Sequence, residues 1–351
     1  MSGFWRPIIC LCFLLLVDKL LLLPELHSRL TLAPNLSFDL FDQVDSVVNR
    51  QTDQNIKDLG QLTQPTNSVW IFGTSRSVAF KSLDKRPNVF ALPASVPTVY
   101  LHQYLYLRNL GWRPGIAFIE VSPYELNQNY SLRSAFLYET APNLFILKNI
   151  GSYPVSYITK WLMSHVMVSS VYPVKFYSKQ EKALVEFLNP LNQKSTAALS
   201  NPKEYKYRTS QELVKAQSDT QYQKFFRSVY IEGQLKDYTV DAVAIDSLQS
   251  LIDALKQDSV PIVLFTPPVH QSITKLHQEL KVDKLFYKVT ESISKRNGVP
   301  YISIDEKSLS CQLYKDEAHF ADVCYDEIFK QIVEQVNRFE KPNRIDPDNI
   351  K

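Results

Sequence analysis

Short apolar runs alternate with longer segments of helical periodicity along most of this chain. Five runs have the length and composition of buried strands: residues 68–72, 88–92, 115–121, 260–266 and 300–304. Helices are predicted between and after them, at residues 98–110, 241–256, 272–296 and 322–339. Strands that alternate with helices favour a mainly parallel sheet with helices on both faces. We therefore predict an α/β fold, a three-layer, doubly wound sandwich around a five-stranded sheet, over residues 67–339.

The alternation stops between residues 124 and 238. This stretch is rich in Tyr, Ser and Lys and is mainly helical by pattern. We predict one long helical insertion between the third and fourth strands, which lies over the edge of the sheet as a cap. A separate helical domain is the alternative. The polar residues 340–351 are predicted to form a flexible tail.

The N-terminal segment, residues 1–34, differs from the rest of the chain. Residues 8–23 are apolar except for Asp18 and Lys19, and a bilayer span needs about 20 mostly apolar residues. No good signal-peptidase site follows them. We predict an uncleaved signal anchor that holds the α/β domain outside the cytoplasm, with a helical stalk at residues 35–66. A cleaved signal peptide and a buried helix are the alternatives.

Composition narrows the classes of function. The chain has 39 basic and 36 acidic residues and a net charge of +3, without a block of basic residues, so we expect no nucleic-acid binding. It has eight glycines, and their spacing forms neither a dinucleotide-binding G-x-G-x-x-G motif nor a P-loop. We expect no cofactor, and no residue spacing indicates a zinc site.

Polar residues that follow the predicted strands carry the candidate chemistry. In an open α/β sheet, ligands bind beyond the carboxyl ends of the strands. The block Gly73–Arg76 follows the first strand, and the block Asp316–His319 lies in the loop before the last helix. A serine at a helix start, a histidine base and a carboxylate are the parts of a serine nucleophile system. The structural alternatives are that Ser75 and Asp316 only cap helices.

These two blocks resemble the SGNH/GDSL hydrolase superfamily. Gly73–Arg76 is similar to its first block, with Thr74 in place of the usual aspartate, and Asp316–His319 matches its last block. The resemblance covers about residues 68–339 and leaves the insertion unmatched. The chain looks most similar to uncharacterised, membrane-anchored bacterial envelope members of the superfamily. Those are distant relatives of polysaccharide O-acetylation proteins and of the teichoic-acid D-alanylation protein.

The resemblance implies a mechanism and a class of substrate. Ser75 is the expected nucleophile, His319 the base, and Asp316 the residue that orients the base. The implied function is a membrane-anchored, extracytoplasmic serine esterase or O-acyltransferase that acts on an acyl ester of an envelope glycan or lipid. The alternative is a catalytically inactive protein that binds glycan or is the partner subunit of a membrane acyltransferase.

Two oxyanion-hole donors of the superfamily are not evident in this chain. No glycine occurs between positions 73 and 111, so the backbone amides of Ala94 and Ser95 are the expected replacements in the second block. Asn127 lies near the place of the third-block asparagine but in a different sequence context. An oxyanion hole that lacks one donor loses about 2.7–4 kcal/mol of transition-state stabilisation.

Two further residues at the strand ends are candidates for substrate contact. Arg76 is expected to pair with an acidic substrate or, alternatively, with Glu120 or Glu125. His270 is expected to contact substrate, and the alternative is a loop histidine bonded to the backbone.

The four cysteines fall into two groups. Cys10 and Cys12 lie in the apolar N-terminal segment, whereas Cys311 and Cys324 bracket the Asp316–His319 block. A disulfide between the second two is predicted if the domain is exported. Two reduced cysteines are the alternative.

Overall fold

The computed structural model of the protein describes most of the predicted α/β domain. The described residues are 9, 12–18, 68–82, 89–93, 96–130, 149–159 and 207–339. The predicted stalk, the C-terminal tail and most of the N-terminal segment lie outside these residues. None of the helices in the described part of the chain combines the length and the apolar character that a bilayer span requires.

A five-stranded parallel sheet forms the centre of the fold, as the sequence predicts. Its strands are β1 (Val69–Gly73), β2 (Val89–Pro93), β3 (Ile116–Glu120), β5 (Ile262–Thr266) and β6 (Tyr301–Ser303). The strand order is β2-β1-β3-β5-β6, and every neighbouring pair is parallel. The order reverses between β1 and β3, and the crevice at the carboxyl ends of such strands is where doubly wound sheets bind ligands.

The helices run between and after these strands. They are α1 (Pro97–Asn109), α2 (Ser210–Ala216), α3 (Thr220–Phe226), α4 (Ala242–Gln257), α5 (Gln271–Glu279), α6 (Val282–Asn297) and α7 (Tyr325–Phe339). The single helix predicted at residues 272–296 is wrong, because the structure divides it into α5 and α6. Lys281 adopts a left-handed conformation with φ of 57° between them. No glycine or proline marks this break in the sequence.

Strand β1 illustrates why the central segments form strands. All five of its residues are buried, as expected for a parallel strand that is covered on both faces. Trp70 and Phe72 belong to an apolar cluster with residues of α1, α4 and α6. Val69 and Ile71 belong to a second cluster with residues of α7. The sheet is therefore the middle layer of three.

A second, smaller sheet carries the Asp316–His319 block. It consists of β4 (Arg208–Thr209), β7 (Leu313–Asp316) and β8 (His319–Phe320) in the antiparallel order β4-β7-β8. Asp316 and His319 are partners across the β7–β8 hairpin. The prediction of a loop here is wrong, because these residues form a β-hairpin. Strands of only two to four residues with polar positions leave no apolar run from which they could be predicted.

The described residues of the predicted insertion are 124–130, 149–159 and 207–238. The last of these segments contains β4, α2 and α3 and continues as a π-helix, Arg227–Leu235. Tyr230 and Leu235 from this π-helix form a third apolar cluster with Ile273 and Leu276 of α5. Residues 131–148 and 160–206 of the predicted insertion lie outside the described residues.

Candidate active site

Ser75 lies at the carboxyl end of β1, in the turn before a 3₁₀-helix at Ser77–Ser82. Its side chain is exposed, and its Oγ lies 2.7 Å from Nε2 of His319, which is 244 residues away in the sequence. The helix-cap alternative does not describe Ser75, because its hydroxyl bonds to the histidine. The first turn of the helix is closed instead by Ser77 N–H, which donates to the Thr74 carbonyl at 2.9 Å.

Asp316 bonds the other ring nitrogen of His319. Its Oδ1 and Oδ2 lie 2.8 and 2.9 Å from Nδ1 of the ring. Oδ1 also accepts the backbone N–H groups of Ala318 at 2.8 Å and His319 at 3.0 Å. Burial by itself raises the pKa of Asp316, but His319 and these two amides outweigh it and hold that pKa below its usual value. Asp316 therefore stays ionised and favours the His319 proton on Nδ1, which leaves Nε2 to accept a hydrogen bond from the Ser75 hydroxyl.

The buried carboxylate of Glu120 accepts hydrogen bonds from the turn that carries Ser75. Glu120, at the end of β3, accepts Thr74 N–H at 3.0 Å and the Thr74 hydroxyl at 2.7 Å. It also accepts the Ser77 hydroxyl at 2.6 Å. Sequence reasoning missed Thr74 as a positioning residue. The available signal was a glutamate that ends the otherwise apolar run of residues 115–121.

Gly73 is required by the close approach of this carboxylate. A Cβ atom at position 73 would lie 1.7 Å from Ser77 Oγ and 2.5 Å from Glu120 Oε2. Both distances are far shorter than any van der Waals contact allows. Glycine is therefore the residue that lets β1 approach the Glu120 network and turn toward Ser75.

Arg76 completes this network and does not face solvent. Its Nη2 lies 2.7 Å from Glu120 Oε1, it hydrogen-bonds Ser122, and its guanidinium lies over the Tyr124 ring at 5.5 Å. Burial lowers the pKa of Arg76, but Glu120, with smaller effects from Tyr124, Glu125 and Tyr325, raises it by more in total, so the guanidinium stays charged. The structure therefore pairs Arg76 with Glu120, as in the second of the two predictions. The predicted contact with an acidic substrate is wrong, because only 4% of the side chain is exposed.

Asn127 is not available as an oxyanion donor. Its Nδ2 donates to the Gln234 carbonyl at 2.8 Å, and its Oδ1 accepts Asn129 N–H and Thr239 N–H, each at 3.1 Å. The side chain is buried and joins the loop after β3 to the end of the π-helix. The prediction of an oxyanion role for Asn127 is therefore wrong, and the residue instead joins the loop after β3 to the segment that ends the π-helix.

The backbone amide of Ser75 is a further N–H group at this site. Ser75 N–H donates to no acceptor among the residues that the structure describes, so it is free to bind a substrate oxygen. Ala94 and Ser95 lie outside the described residues. Strand β2 ends at Pro93, immediately before them, and pairs with Gly73 of β1.

His270 is a buried structural residue. It is the N-cap of α5, where its Nδ1 accepts Ser272 N–H at 3.3 Å. Its Nε2 lies 2.8 Å from Ser210 Oγ, and burial lowers its pKa. Both ring nitrogens are thus used inside the protein, so the prediction that His270 contacts substrate is wrong. The alternative of a loop histidine bonded to the backbone is nearer to the structure.

A disulfide fixes the start of the β7–β8 hairpin to the segment before α7. It joins Cys311 and Cys324, whose Cα atoms are 5.4 Å apart. Lys315 adds an ion pair to Asp322 at 2.6 Å over the same span. In the described part of the chain, no group of three or more His, Cys, Asp or Glu side chains is arranged to hold a metal ion.

Comparison with known proteins identifies the family of this chain. No curated protein matches it. Residues 3–336 match a family described as "Protein of unknown function (DUF1574)". The match covers nearly the whole chain and includes Ser75, Asp316 and His319, so the chain belongs to the DUF1574 family.

Proposed function

We propose that this protein is a serine esterase or O-acyltransferase that acts on an acyl ester through Ser75, His319 and Asp316. The observation that carries the proposal is the continuous chain of hydrogen bonds from Ser75 Oγ to His319 Nε2 and from His319 Nδ1 to Asp316. A serine hydroxyl is a weak nucleophile, and it becomes reactive when a positioned base accepts its proton. The exposed serine leaves room for a substrate at the carboxyl edge of the sheet.

The reaction follows from the positions of these atoms. His319 Nε2 takes the proton of Ser75, and Oγ attacks the ester carbonyl carbon while the carbonyl π electrons move onto oxygen. The Ser75 amide donates to that oxygen. The intermediate then expels the alcohol, which receives the proton from His319, and an acyl-serine remains. Water or a sugar hydroxyl attacks the acyl-serine by the same steps and releases Ser75.

The choice of substrate class and location rests on the sequence. An extracytoplasmic domain on a membrane anchor has access to acylated envelope glycans and lipids. Apolar side chains in the described N-terminal residues support the anchor because they are exposed, namely Ile9, Phe13, Leu14, Leu16 and Val17. The disulfide supports export, since oxidising compartments preserve such bonds.

A second candidate function is an inactive, SGNH-like protein that binds glycan or assists a membrane acyltransferase. The observation that favours it is the use of Asn127 in the structure, which removes one predicted oxyanion donor. Loss of one such donor typically lowers kcat by about 10²–10³-fold. The two candidates differ in whether Ser75 reacts.

Labelling with a fluorophosphonate separates the two candidates. The full-length wild-type chain is expected to form a covalent adduct, and the Ser75→Ala variant is expected to form none. Ser210→Ala is the matched control, because Ser210 also lies beside a histidine, at 2.8 Å from His270 Nε2. It should label like the wild type. Absence of labelling in folded wild-type protein contradicts the enzyme proposal and favours the binding protein.

A further inference from the structure

The tip of the β7–β8 hairpin carries a second carboxylate, next to the one that bonds His319. Glu317 lies in the turn between Asp316 and His319 and is completely buried. Asp316 Oδ1 closes this turn from within, since it accepts the backbone N–H groups of Ala318 and His319. Glu317 instead makes its hydrogen bonds to residues outside the turn. The hairpin tip is therefore fixed both within itself and to the rest of the molecule.

The partners of Glu317 come from three helices. Its Oε1 accepts the hydroxyl of Tyr222, which lies in α3. The same oxygen accepts Nε2 of Gln217, the C-cap residue of α2, at 3.3 Å. The Glu317 backbone carbonyl accepts N–H of His270, the N-cap residue of α5, at 2.9 Å. One buried residue thus joins the hairpin tip to the described part of the predicted insertion and to the start of α5.

The segment that supplies Tyr222 also contacts the other end of strand β7. Thr209 of β4 pairs with Leu313, the first residue of β7, and is the N-cap of α2. The start of α3 is fixed in turn, because the Asp219 carboxylate accepts Tyr222 N–H at 2.9 Å. Residues 208–226 therefore leave the hairpin at the start of β7 and return to it at the tip, where the Tyr222 hydroxyl is held in a defined place.

We infer that Glu317 is a positioning residue, which keeps His319 Nε2 within reach of the Ser75 hydroxyl. The inference rests on the proposed function. A base must lie within about 2.6–3.2 Å of the hydroxyl whose proton it accepts, and a displacement of about 1 Å can lower a rate about 100-fold. Without the Tyr222 hydroxyl, the buried Glu317 carboxylate loses a donor, and a shift of the turn toward water relieves that cost. Such a shift moves His319, which ends the same turn.

The test removes one hydroxyl from each of two tyrosines that bond carboxylates. Tyr222→Phe removes the bond to Glu317, and Tyr314→Phe removes a bond of the same kind, from β7 to Glu306. Labelling of the full-length chain at several fluorophosphonate concentrations separates the affinity for the reagent from the maximal rate. We expect Tyr222→Phe to lower the maximal rate about 10- to 100-fold at unchanged affinity, since only the base is displaced. Tyr314→Phe should label the folded fraction at the wild-type rate, even if its melting temperature is lower.

A double-mutant cycle tests whether Tyr222 acts through Glu317. Glu317→Ala removes the acceptor, so it should slow labelling of the folded fraction at least as much as Tyr222→Phe does. In the Glu317→Ala background, Tyr222→Phe should have no further effect. A full second loss in that background overturns the inference, because it gives Tyr222 another route to the site. If Glu317→Ala does not fold, the comparison of Tyr222→Phe with Tyr314→Phe decides alone.

The outcomes distinguish this inference from the proposal on which it rests. Equal maximal rates for wild type and Tyr222→Phe overturn the role of Glu317 and leave the enzyme proposal intact. Equal slowing in Tyr222→Phe and Tyr314→Phe also overturns that role, because it assigns the effect to a general loss of stability in the hairpin. A folded wild-type chain that resists labelling overturns the enzyme proposal and this inference with it.

Discussion

Two serine–histidine pairs in this molecule have nearly the same geometry and different surroundings. Ser75 Oγ lies 2.7 Å from His319 Nε2, and Ser210 Oγ lies 2.8 Å from His270 Nε2. The second nitrogen of His319 faces the Asp316 carboxylate, whereas that of His270 faces the hydroxyl and the amide of Ser272. A short serine–histidine distance is therefore not enough to identify a nucleophile.

The two pairs differ in solvent exposure as clearly as they differ in the residue that faces the second ring nitrogen of the histidine. The His319 side chain is 23% exposed and Ser75 is exposed, whereas His270 is completely buried. Solvent therefore reaches Ser75 and His319, whereas His270 is enclosed. The first pair has a carboxylate to stabilise an imidazolium, and burial in the second favours a neutral ring. If Ser75 is the nucleophile, as we propose, the same two kinds of side chain serve chemistry in one region and structure in the other.

Replacing each histidine tests this comparison with the largest expected effect. His319→Ala should lower esterase activity by about 10⁴- to 10⁶-fold, since the nucleophile loses its base. His270→Ala should leave the activity of the folded fraction near wild type. It should instead lower the free energy of unfolding by about 1–3 kcal/mol, because the α5 cap and the bond to Ser210 are lost.

Hydrolysis of p-nitrophenyl acetate, normalised to the folded fraction, and urea unfolding provide the two measurements. Equal loss of activity in the two variants would contradict the comparison.

Removal of the charge on Asp316 should have the next largest effect. Asp316→Asn keeps the size of the side chain but no longer fixes the proton of His319 on Nδ1. We expect kcat to fall by about 10⁴-fold at neutral pH, with a small change in KM. The control is Ser272→Asp, which gives His270 a neighbouring carboxylate. It should create no activity in a Ser75→Ala background, because His270 is buried. Activity in that double variant would refute the argument from exposure.

Disruption of the Glu120 network should affect stability more than any other single change near Ser75. Glu120→Gln leaves the Arg76 guanidinium buried without its carboxylate, which costs about 3–5 kcal/mol. Burial raises the pKa of Glu120, but Arg76, Ser77 and Thr74 hold it below its usual value, so the charge is present at neutral pH. Glu291→Gln is the control, since its ion pair with Lys295 is largely exposed and is expected to contribute less than about 1 kcal/mol. Urea unfolding of the two variants gives the comparison, and similar losses would contradict it.

The large sheet was predictable from the sequence because its strands are buried on both faces. Five apolar runs predicted β1, β2, β3, β5 and β6 to within about two residues. The position of Ser75 at the sheet edge was predictable for the same reason, since Ser75 lies in the turn directly after β1. The break between α5 and α6 was not predictable, because Lys281 adopts a left-handed conformation without a glycine to signal it.

The hairpin and the roles of several polar residues depended on tertiary contacts. Strand β7 pairs with β4, more than 100 residues earlier in the chain, and neither has an apolar run. The Asp316–His319 block predicted that these two residues belong to the candidate site, but it did not predict that they lie on a β-hairpin. Asn127 and His270 looked like site residues because they follow strands. Asn127 instead bonds to Gln234 and Thr239. His270 bonds to Ser210 and Ser272. Only the folded chain brings these partners close.

The disulfide should support the first pair and not the second. It closes a loop between residues 13 apart, Cys311 and Cys324, and its loss should lower the free energy of unfolding by about 3 kcal/mol. The double variant Cys311→Ser, Cys324→Ser should therefore lose activity at a lower temperature than wild type. Reductant should shift the wild-type curve toward that of the variant and leave the variant unchanged. An identical melting temperature for the two proteins would show that the bond contributes nothing to the hairpin.

The smallest expected effect is on the pH dependence of stability, and it arises from the second pair. Burial lowers the pKa of His270 below its usual value, an effect that the nearby Glu306 and Glu317 oppose and Lys275 reinforces. In the unfolded chain the ring takes up a proton near pH 6.5, while in the folded chain it remains neutral. The unfolded state then binds more protons, so the His270 contribution to stability is lost as pH falls below about 6.5 toward the folded pKa.

His270→Gln removes this contribution. Its free energy of unfolding relative to wild type should therefore improve between about pH 7.5 and pH 5.5. His277→Gln gives the reference slope, since burial, with a smaller effect from Arg76, lowers the pKa of His277 to about 4. Its relative stability should improve in the same direction over that range. Urea unfolding at three pH values measures both slopes. If the relative stability of His270→Gln does not change with pH, the pKa of this histidine is the same in the folded and the unfolded chain, and the contrast between a reactive and a structural pair would then lose its electrostatic basis.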